Sequence, residues 1–515
     1  MIKFLSVLDT IADIGEWLNS YVWSVPLLVI LLCAGAFFTI RTRFVQVRQI
    51  KLMAKLLLSK GDDDAGVSSF QAFALSVAGR VGTGNIAGVA TAIGFGGPGA
   101  LFWMWVIATL GSATAYIEST LGQIYKEEID GEYRGGPAYY FEKFTGYKAF
   151  GIIFAVITLL SMGIFLPGVQ ANSIATAVQT GFFSNSTLTA QIGGGEVDMI
   201  KILVGAFVAI ILAIVIFGGT KRLASAAEVI VPVMSIAYMI IAFIIIVVNI
   251  KMIPEMFTQI FKYAFTPYAG LGGILGFAIM NGVKRGLYSN EAGQGTGPHA
   301  AAAASVNHPA EQGLVQAFSV YFDTLLVCSA TGFMILITES YQVFNAAGDP
   351  VFTGPGMQGI DAGPAFTQSA VSEVLGGSIG PKFVAIALFF FAFTTLMAYY
   401  YMAETNIAYL TGKVDENGEE KSSAFLTLVV RILFLGVVIV FSAMEVGAVW
   451  QFADVGVGIM AWYNVVGILL ISILGGAPAI KSLVDYERQI KEKVEKPTFD
   501  PDALGIKNVD KKVWK

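Results

Sequence analysis

The chain is short of charge. Lys, Arg, Asp and Glu make up 13% of its 515 residues, whereas 55% are hydrophobic. A soluble fold of this length carries about 25% charged residues to cover its surface, so a large soluble protein is excluded. Histidine and cysteine are nearly missing, with two of each. No histidine–cysteine cluster has zinc spacing, and no disulfide framework is implied. Cys33 and Cys328 both lie in apolar runs and read as buried free thiols. His299 and His308 each fall near the end of an apolar run and read as surface residues. No Gly-Lys-Ser/Thr loop occurs, so ATP is not expected as a partner, and neither is nucleic acid. No nucleophile–base pair stands out in the apolar runs, so an enzyme is not expected, and no cofactor is implied. Met1–Tyr21 lacks a basic start followed by an apolar core, so it does not read as a cleaved signal. With Asp9, Asp13 and Glu16 among its apolar residues, the stretch 1–23 reads as an amphipathic interfacial helix.

Long apolar runs are what the chain has instead. Mean hydropathy is +0.69. A hydrocarbon layer of ~30 Å is crossed by ~20 apolar residues in a helix. Such runs predict an all-α membrane protein of about eleven spans. They lie near Ser24–Ile40, Ser68–Ile93, Gly99–Tyr125, Gly151–Thr180, Ile200–Phe217 and Ala226–Ile250. Others follow near Gly270–Ser305, Glu311–Thr338, Pro381–Leu410, Ala424–Ser442 and Gly447–Leu474.

Basic residues orient these spans. Arg41, Arg43, Arg48, Lys51, Lys55 and Lys60 follow the first. The same side then receives Lys126, Arg134, Lys143, Lys148, Lys221, Arg222, Lys284, Arg285, Lys413, Lys421 and the tail from Lys481. The other side keeps Lys3, Lys201, Lys251, Lys262 and Lys382. Basic residues gather on the cytoplasmic side, so the N-terminus is expected outside and the C-terminus inside the cell membrane. The loop 339–380, rich in Gly and Pro and free of Lys and Arg, is expected to cap the outer face. The segment 475–515 is expected to be a solvated cytoplasmic tail.

Two apolar runs are interrupted. One break reads Ala78-Gly79-Arg80-Val81-Gly82-Thr83-Gly84-Asn85, and the other spans Asn281 to Gly295. Glycine costs ~1 kcal/mol against alanine within a helix. Unpaired backbone in hydrocarbon costs several kcal/mol per group, so a break is tolerated only beside protein or a watery cavity. There, freed amides can hold an anion and freed carbonyls a cation. A zwitterionic amino acid with a cation needs both. Paired breaks in corresponding halves point to a transport site between inverted repeats, here 68–250 and 270–474, with 24–40 as an extra helix.

Gly96-Gly97-Pro98-Gly99-Ala100-Leu101-Phe102-Trp103-Met104-Trp105-Val106 resembles the signature of the alanine or glycine:cation symporter family. Val81-Gly82-Thr83-Gly84-Asn85-Ile86-Ala87-Gly88, Arg134-Gly135-Gly136-Pro137-Ala138-Tyr139-Tyr140 and Arg285-Gly286-Leu287-Tyr288-Ser289-Asn290-Glu291-Ala292-Gly293 are similar to other stretches of that family. The resemblance implies a LeuT-like fold of two inverted five-helix repeats. It also implies Na⁺-coupled uptake of alanine, glycine or a similar small amino acid by alternating access. By the same resemblance, amides around Thr83 and Gly84 receive the substrate carboxylate. Asn85, Gln170, Phe277, Asn281, Gly282 and Tyr399 would complete the pocket. Na⁺ would sit between the carbonyls of Ala78, Val81 and Phe391 and the hydroxyls of Thr394 and Thr395. The family pattern associated with the positions after Thr395 is Gly-Trp, where this chain has Ala398-Tyr399. That departure leaves a larger substrate such as glutamine open, as it leaves coupling to H⁺. A channel and a membrane enzyme are the remote alternatives.

Charges deep in spans have partners or functions. Glu118 reads as a brace for the broken helices. Asp323 with Thr324 is either a second cation site or a tie to the second break. Arg80 is either a gate or a counter-charge to Glu118. Gln170 and Asn172 line the pocket or join helices.

Overall fold

The structure is a computed structural model. It describes residues 15–59, 65–184, 186, 188–192, 195–266, 276–415 and 418–514. Most of the expected interfacial helix, and the start of the second repeat at 270–275, lie outside them.

The chain is mostly helical. In order come α1 Val25–Arg41, α2 Ser69–Arg80, α3 Val89–Gly96 and α4 Ala100–Ile124. Then follow α5 Lys148–Phe182, α6 Met199–Ile216 and α7 Gly219–Val248. The second half holds α8 Gly276–Asn290, α9 Gly297–Ala302, α10 Pro309–Ile337, α11 Pro364–Leu375 and α12 Ile379–Thr411. It ends with α13 Ala424–Ser442, α14 Val446–Leu474 and α15 Pro478–Lys491. Among the described residues eight helices are long and apolar enough to cross a membrane, or nine with α1 and the bent segment Gly15–Val22 before it. The two other expected spans are each split into short halves, and neither half crosses alone.

Local chemistry sets the helix ends. Ser68 and Gln71 form a reciprocal cap on α2: Gln71 N donates to Ser68 Oγ at 3.1 Å, and Ser68 N to Gln71 Oε1 at 3.0 Å. Proline near the start of α1, α10, α11 and α15 needs no helical N–H there.

Burial sorts the helices into layers. The apolar window of α4 is 67% buried, that of α13 only 11%. α4 packs against α1, α8, α9 and α10, and α5 packs against α12 and α13. On α7 the exposed residues Val229, Val233, Ile236, Ile240, Phe243 and Val247 recur every three or four positions. That is one apolar stripe pointing outward, which suits lipid and not water.

Several expectations change. Cys33 is exposed on α1, not buried, because it falls on the helix's outer stripe; Cys328 is buried and both are free. His299 and His308 are buried, not on the surface. The His299 ring faces the Thr296 carbonyl at 3.1 Å and Asn406 Nδ2 at 2.9 Å. His308 Nδ1 accepts from Ala310 N at 3.2 Å, capping α10, and Nε2 faces Asp485 at 3.4 Å. The tail is not merely solvated. Phe499, Ile506 and Trp514 are buried, and Trp514 Nε1 donates to the Gln123 carbonyl at 3.3 Å. A few apolar residues in a polar segment are enough to fasten it. Loop 339–380 contains a hairpin, Gln342–Phe344 with Pro350–Thr353, and α11. It packs on the end of α3, where Phe95 and Phe344 rings are 5.7 Å apart.

Candidate functional site

Helix α2 stops at Arg80, and a wide π-type turn, Gly84–Gly88, leads into α3. The break leaves carbonyls with no helical partner. Thr395 Oγ1 on α12 lies 2.8 Å from the Ala78 carbonyl, 3.5 Å from that of Val81 and 3.0 Å from that of Phe391. One hydroxyl and three carbonyls therefore converge in a buried spot made of oxygen alone, which is the donor set for a hard cation. Gly82 is required there: a Cβ would stand 2.4 Å from Thr395 Oγ1. The Thr394 hydroxyl, one residue away, bonds the Phe390 and Phe391 carbonyls at 3.1 and 2.9 Å instead. It reaches the cluster only through the shared Phe391 oxygen.

On the amide side of the same break, Gln170 Oε1 accepts from Thr83 N at 3.1 Å and from Thr83 Oγ1 at 2.8 Å. A carboxylate oxygen could take that place. Asn85 Oδ1 accepts from Gly82 N at 2.8 Å, and its Nδ2 donates to Asp323 Oδ1 at 2.7 Å. Asp323 also accepts from Ser289 at 3.0 Å and from Thr324 at 2.7 Å. Asp323 thus ties the residues just after the first break to those just before the second.

The second break is narrower than the sequence suggests. Asn281 to Asn290 is helical, and the irregular backbone is confined to 291–296. The glycines within α8 serve packing: a Cβ at Gly282 would sit 2.5 Å from the Ala100 carbonyl of α4. Within the break, Gly293 and Gly295 have φ of +89° and +87°, which glycine alone adopts freely. Their amides donate to the two oxygens of Glu118, each at 3.1 Å. Asn464 Nδ2 on α14 adds a third bond to Glu118 at 2.7 Å. Glu118 thus joins α4 to the second break and to α14. Arg80 makes no direct ion pair with Glu118 among the described residues, though its charge acts on it; it donates to the Gln316 carbonyl at 3.2 Å and to Ser319.

Not all the expected pocket residues meet. Beside Gly84 stand Tyr288 and Ser289, both within 3.2 Å of where its Cβ would be. Asn281 lies two turns further along α8 and bonds the Phe95 carbonyl at 3.2 Å. Phe277, one turn beyond, covers Gly96. At 1.5 Å rise per residue these two are about 10 Å or more from Gly84. Asn172 joins α5 to the Phe441 and Met444 carbonyls at 3.1 and 2.8 Å. Tyr399, one turn from Thr395, lies against Glu291 and Tyr288.

One ion cluster escaped the sequence reading. Arg285 grips Asp454 through two bonds of 3.0 and 3.2 Å, and Lys284 Nζ adds a third at 2.7 Å. Trp23 donates to the Asp454 carbonyl at 2.8 Å, and Lys284 lies over its ring at 5.3 Å. Trp23 precedes α1, so Lys284 and Arg285 belong to the end of the molecule opposite Arg41. Their expected placement with the cytoplasmic charges is therefore corrected. A lone acid in α14 gave no signal of its role, because its partners are about 170 residues away in sequence (169 for Arg285).

This is the architecture of a membrane transporter. The fold is similar to that of a solved manganese transporter from Eremococcus coleocola, with TM-score 0.53 and 12% identity over 87% of this chain and 95% of that one. The chain belongs to the Sodium:alanine symporter family, whose sequence model matches residues 8–501. It is 51% identical to a Bacillus subtilis protein named as a putative sodium/proton-dependent alanine carrier, covering 97% of each chain. It is 40% identical to a probable sodium/glutamine symporter of the same species, over 95% of this chain and 93% of that one.

Proposed function

We propose that this protein carries small neutral amino acids, alanine or glycine first, into the cell together with Na⁺. The carrying observation is the oxygen cluster of Thr395, Ala78, Val81 and Phe391, which bridges the first break to α12. Na⁺ there ties α2 to α12, and Thr394 joins by turning its hydroxyl inward. The substrate carboxylate replaces Gln170 at the Thr83 amide and hydroxyl, and also meets Gly84. Tyr288 and Tyr399 limit side-chain size, while Phe277, Asn281 and Gly282 close the outer approach. Na⁺ and substrate share the same broken turn, so each favours the state that binds the other, a coupling that is reciprocal. The two broken helices make up, with nine further spans, about eleven in a LeuT-like arrangement of inverted repeats. The N-terminus is outside and the C-terminus in the cytoplasm. The relatives' names also support proton dependence as a second reading.

The test is uptake of labelled amino acids by proteoliposomes holding the purified protein. Saturable alanine uptake that collapses without a Na⁺ gradient is expected. Uptake indifferent to Na⁺ would refute the coupling. Gly84→Val, facing Ser289 and Tyr288, is expected to abolish alanine binding in a protein that still folds. Undiminished affinity in that variant would remove the carboxylate site.

A further inference from the structure

The sodium site uses none of the four charged side chains buried between the two breaks. These are Arg80, Glu118, Glu291 and Asp323, each at most 2% exposed. One guanidinium faces three carboxylates, so two negative charges are in excess. A low-dielectric interior does not hold an unpaired charge; the group gains a proton or a counter-ion.

Hydrogen bonding distinguishes the three acids. Glu118 accepts three donors, from Gly293, Gly295 and Asn464. Asp323 accepts three, from Asn85, Ser289 and Thr324. Both are furnished as carboxylates. Glu291 is furnished less: its Oε1 is buried with no partner, and the hydroxyls beside its carboxyl are those of Thr296 and Tyr399. A protonated carboxyl needs fewer donors than a carboxylate. Glu291 also stands at the hinge. It is the first residue after α8, with φ of +56°, a left-handed conformation uncommon for glutamate. The groups that face it from each neighbouring element are Arg80 from α2, Asp323 from α10, Tyr399 from α12 and Thr296 from its own break. Arg80 Nε and Nη2, Ser119 Oγ, Thr296 Oγ1 and Gln294 Oε1 are also buried without partners. Such a cluster of unsatisfied polar atoms is where buried water collects.

We propose that Glu291 is a proton site, loaded together with Na⁺ during the transport cycle. This rests on the symport reading above. With Na⁺ at Thr395 and a proton on Glu291, two positive charges, Arg80 and Na⁺, balance two carboxylates, Glu118 and Asp323. The loaded centre is neutral. A hydronium ion on the outer side gives its proton to a Glu291 carboxylate oxygen, forming the O–H bond and leaving a water. Movement of α9 at the hinge then exposes Glu291 inward, where the bond breaks and a cytoplasmic water takes the proton.

The experiment uses the full-length protein in proteoliposomes with a trapped pH dye, an inward Na⁺ gradient and labelled alanine. Wild-type liposomes are expected to acidify as alanine enters. Glu291→Gln is expected to keep Na⁺-dependent protection of the protein by alanine against heat, but to lose acidification at least tenfold per alanine moved. Acidification per alanine unchanged in E291Q would overturn the proposal. If E291Q does not fold, Glu291→Asp decides: a shifted pH midpoint of acidification supports the site, and an unchanged one overturns it. Alanine uptake on Na⁺ with no acidification in the wild type would overturn the proton site alone. No uptake on Na⁺ at all would overturn the symport reading, and this one with it.

Discussion

The two helix breaks solve the same problem with opposite chemistry. At the first, carbonyls of Ala78 and Val81 face a neutral hydroxyl, Thr395, and the Thr83 amide is met by a neutral carboxamide, Gln170. No charged side chain meets these particular carbonyls or the Thr83 amide, so a cation and a carboxylate from outside can be accepted. At the second, two amides are already held by Glu118 and the Gly293 carbonyl by Asn464 at 2.9 Å. The protein supplies its own anion, and the turn is closed. The first break leaves backbone groups met only by neutral side chains, and the second is held in shape by the protein's own carboxylate.

Removing the brace should have the largest effect. Glu118→Ala leaves three buried donors without an acceptor, at about 1–3 kcal/mol each. Thermal melting in detergent should show a severely destabilised protein, with no rescue by Na⁺. A melting point near that of the wild type would erase the distinction between the breaks. Gly82→Ala comes next. Its Cβ would strike Thr395 Oγ1, and overpacking of this kind costs about 1–3 kcal/mol. The protein should fold but lose the effect of Na⁺ on alanine binding. Retained Na⁺ dependence would mean that the ion binds elsewhere.

Thr395→Val keeps the shape and removes one oxygen. It should raise the Na⁺ concentration needed for alanine binding about tenfold, or ~1.4 kcal/mol. Thr394→Val should do less, about twofold, since that hydroxyl bonds carbonyls of its own helix. Isothermal titration at several Na⁺ concentrations would compare them. An equal shift in both, or in neither, would redraw the site.

The smallest effect concerns the tail. Burial pushes His308 down to about 4 from the usual 6.5, so it is neutral when folded. An unfolded or undocked chain binds a proton more readily. His308 therefore contributes stability that is full above pH 6.5 and lost as pH falls toward 4. Proteolysis of the tail should accelerate over that window, and His308→Gln should flatten the pH dependence. An identical pH profile in the variant would exclude His308 as its cause.

Composition and periodicity were enough to determine a helical membrane protein, the approximate place of most long helices and the existence of two breaks. These are local properties: apolar length, glycine in apolar surroundings and lysine and arginine near span ends act within a few residues. Thr395 with Ala78 and Val81 was legible only through the family resemblance, and the structure brings those atoms together. The rest was decided by contacts distant in sequence. Asn281 and Gly282 look like part of a break, yet α4 packs against them and keeps the helix intact. Glu291 is one acid in a run of small polar residues. Only the fold leaves its Oε1 buried with no partner. Asp454 has no local signal, and Lys284 and Arg285 change ends because of it. In a membrane the cost of burying a charge depends on which partners the fold brings to it, and that is a property of the tertiary structure alone.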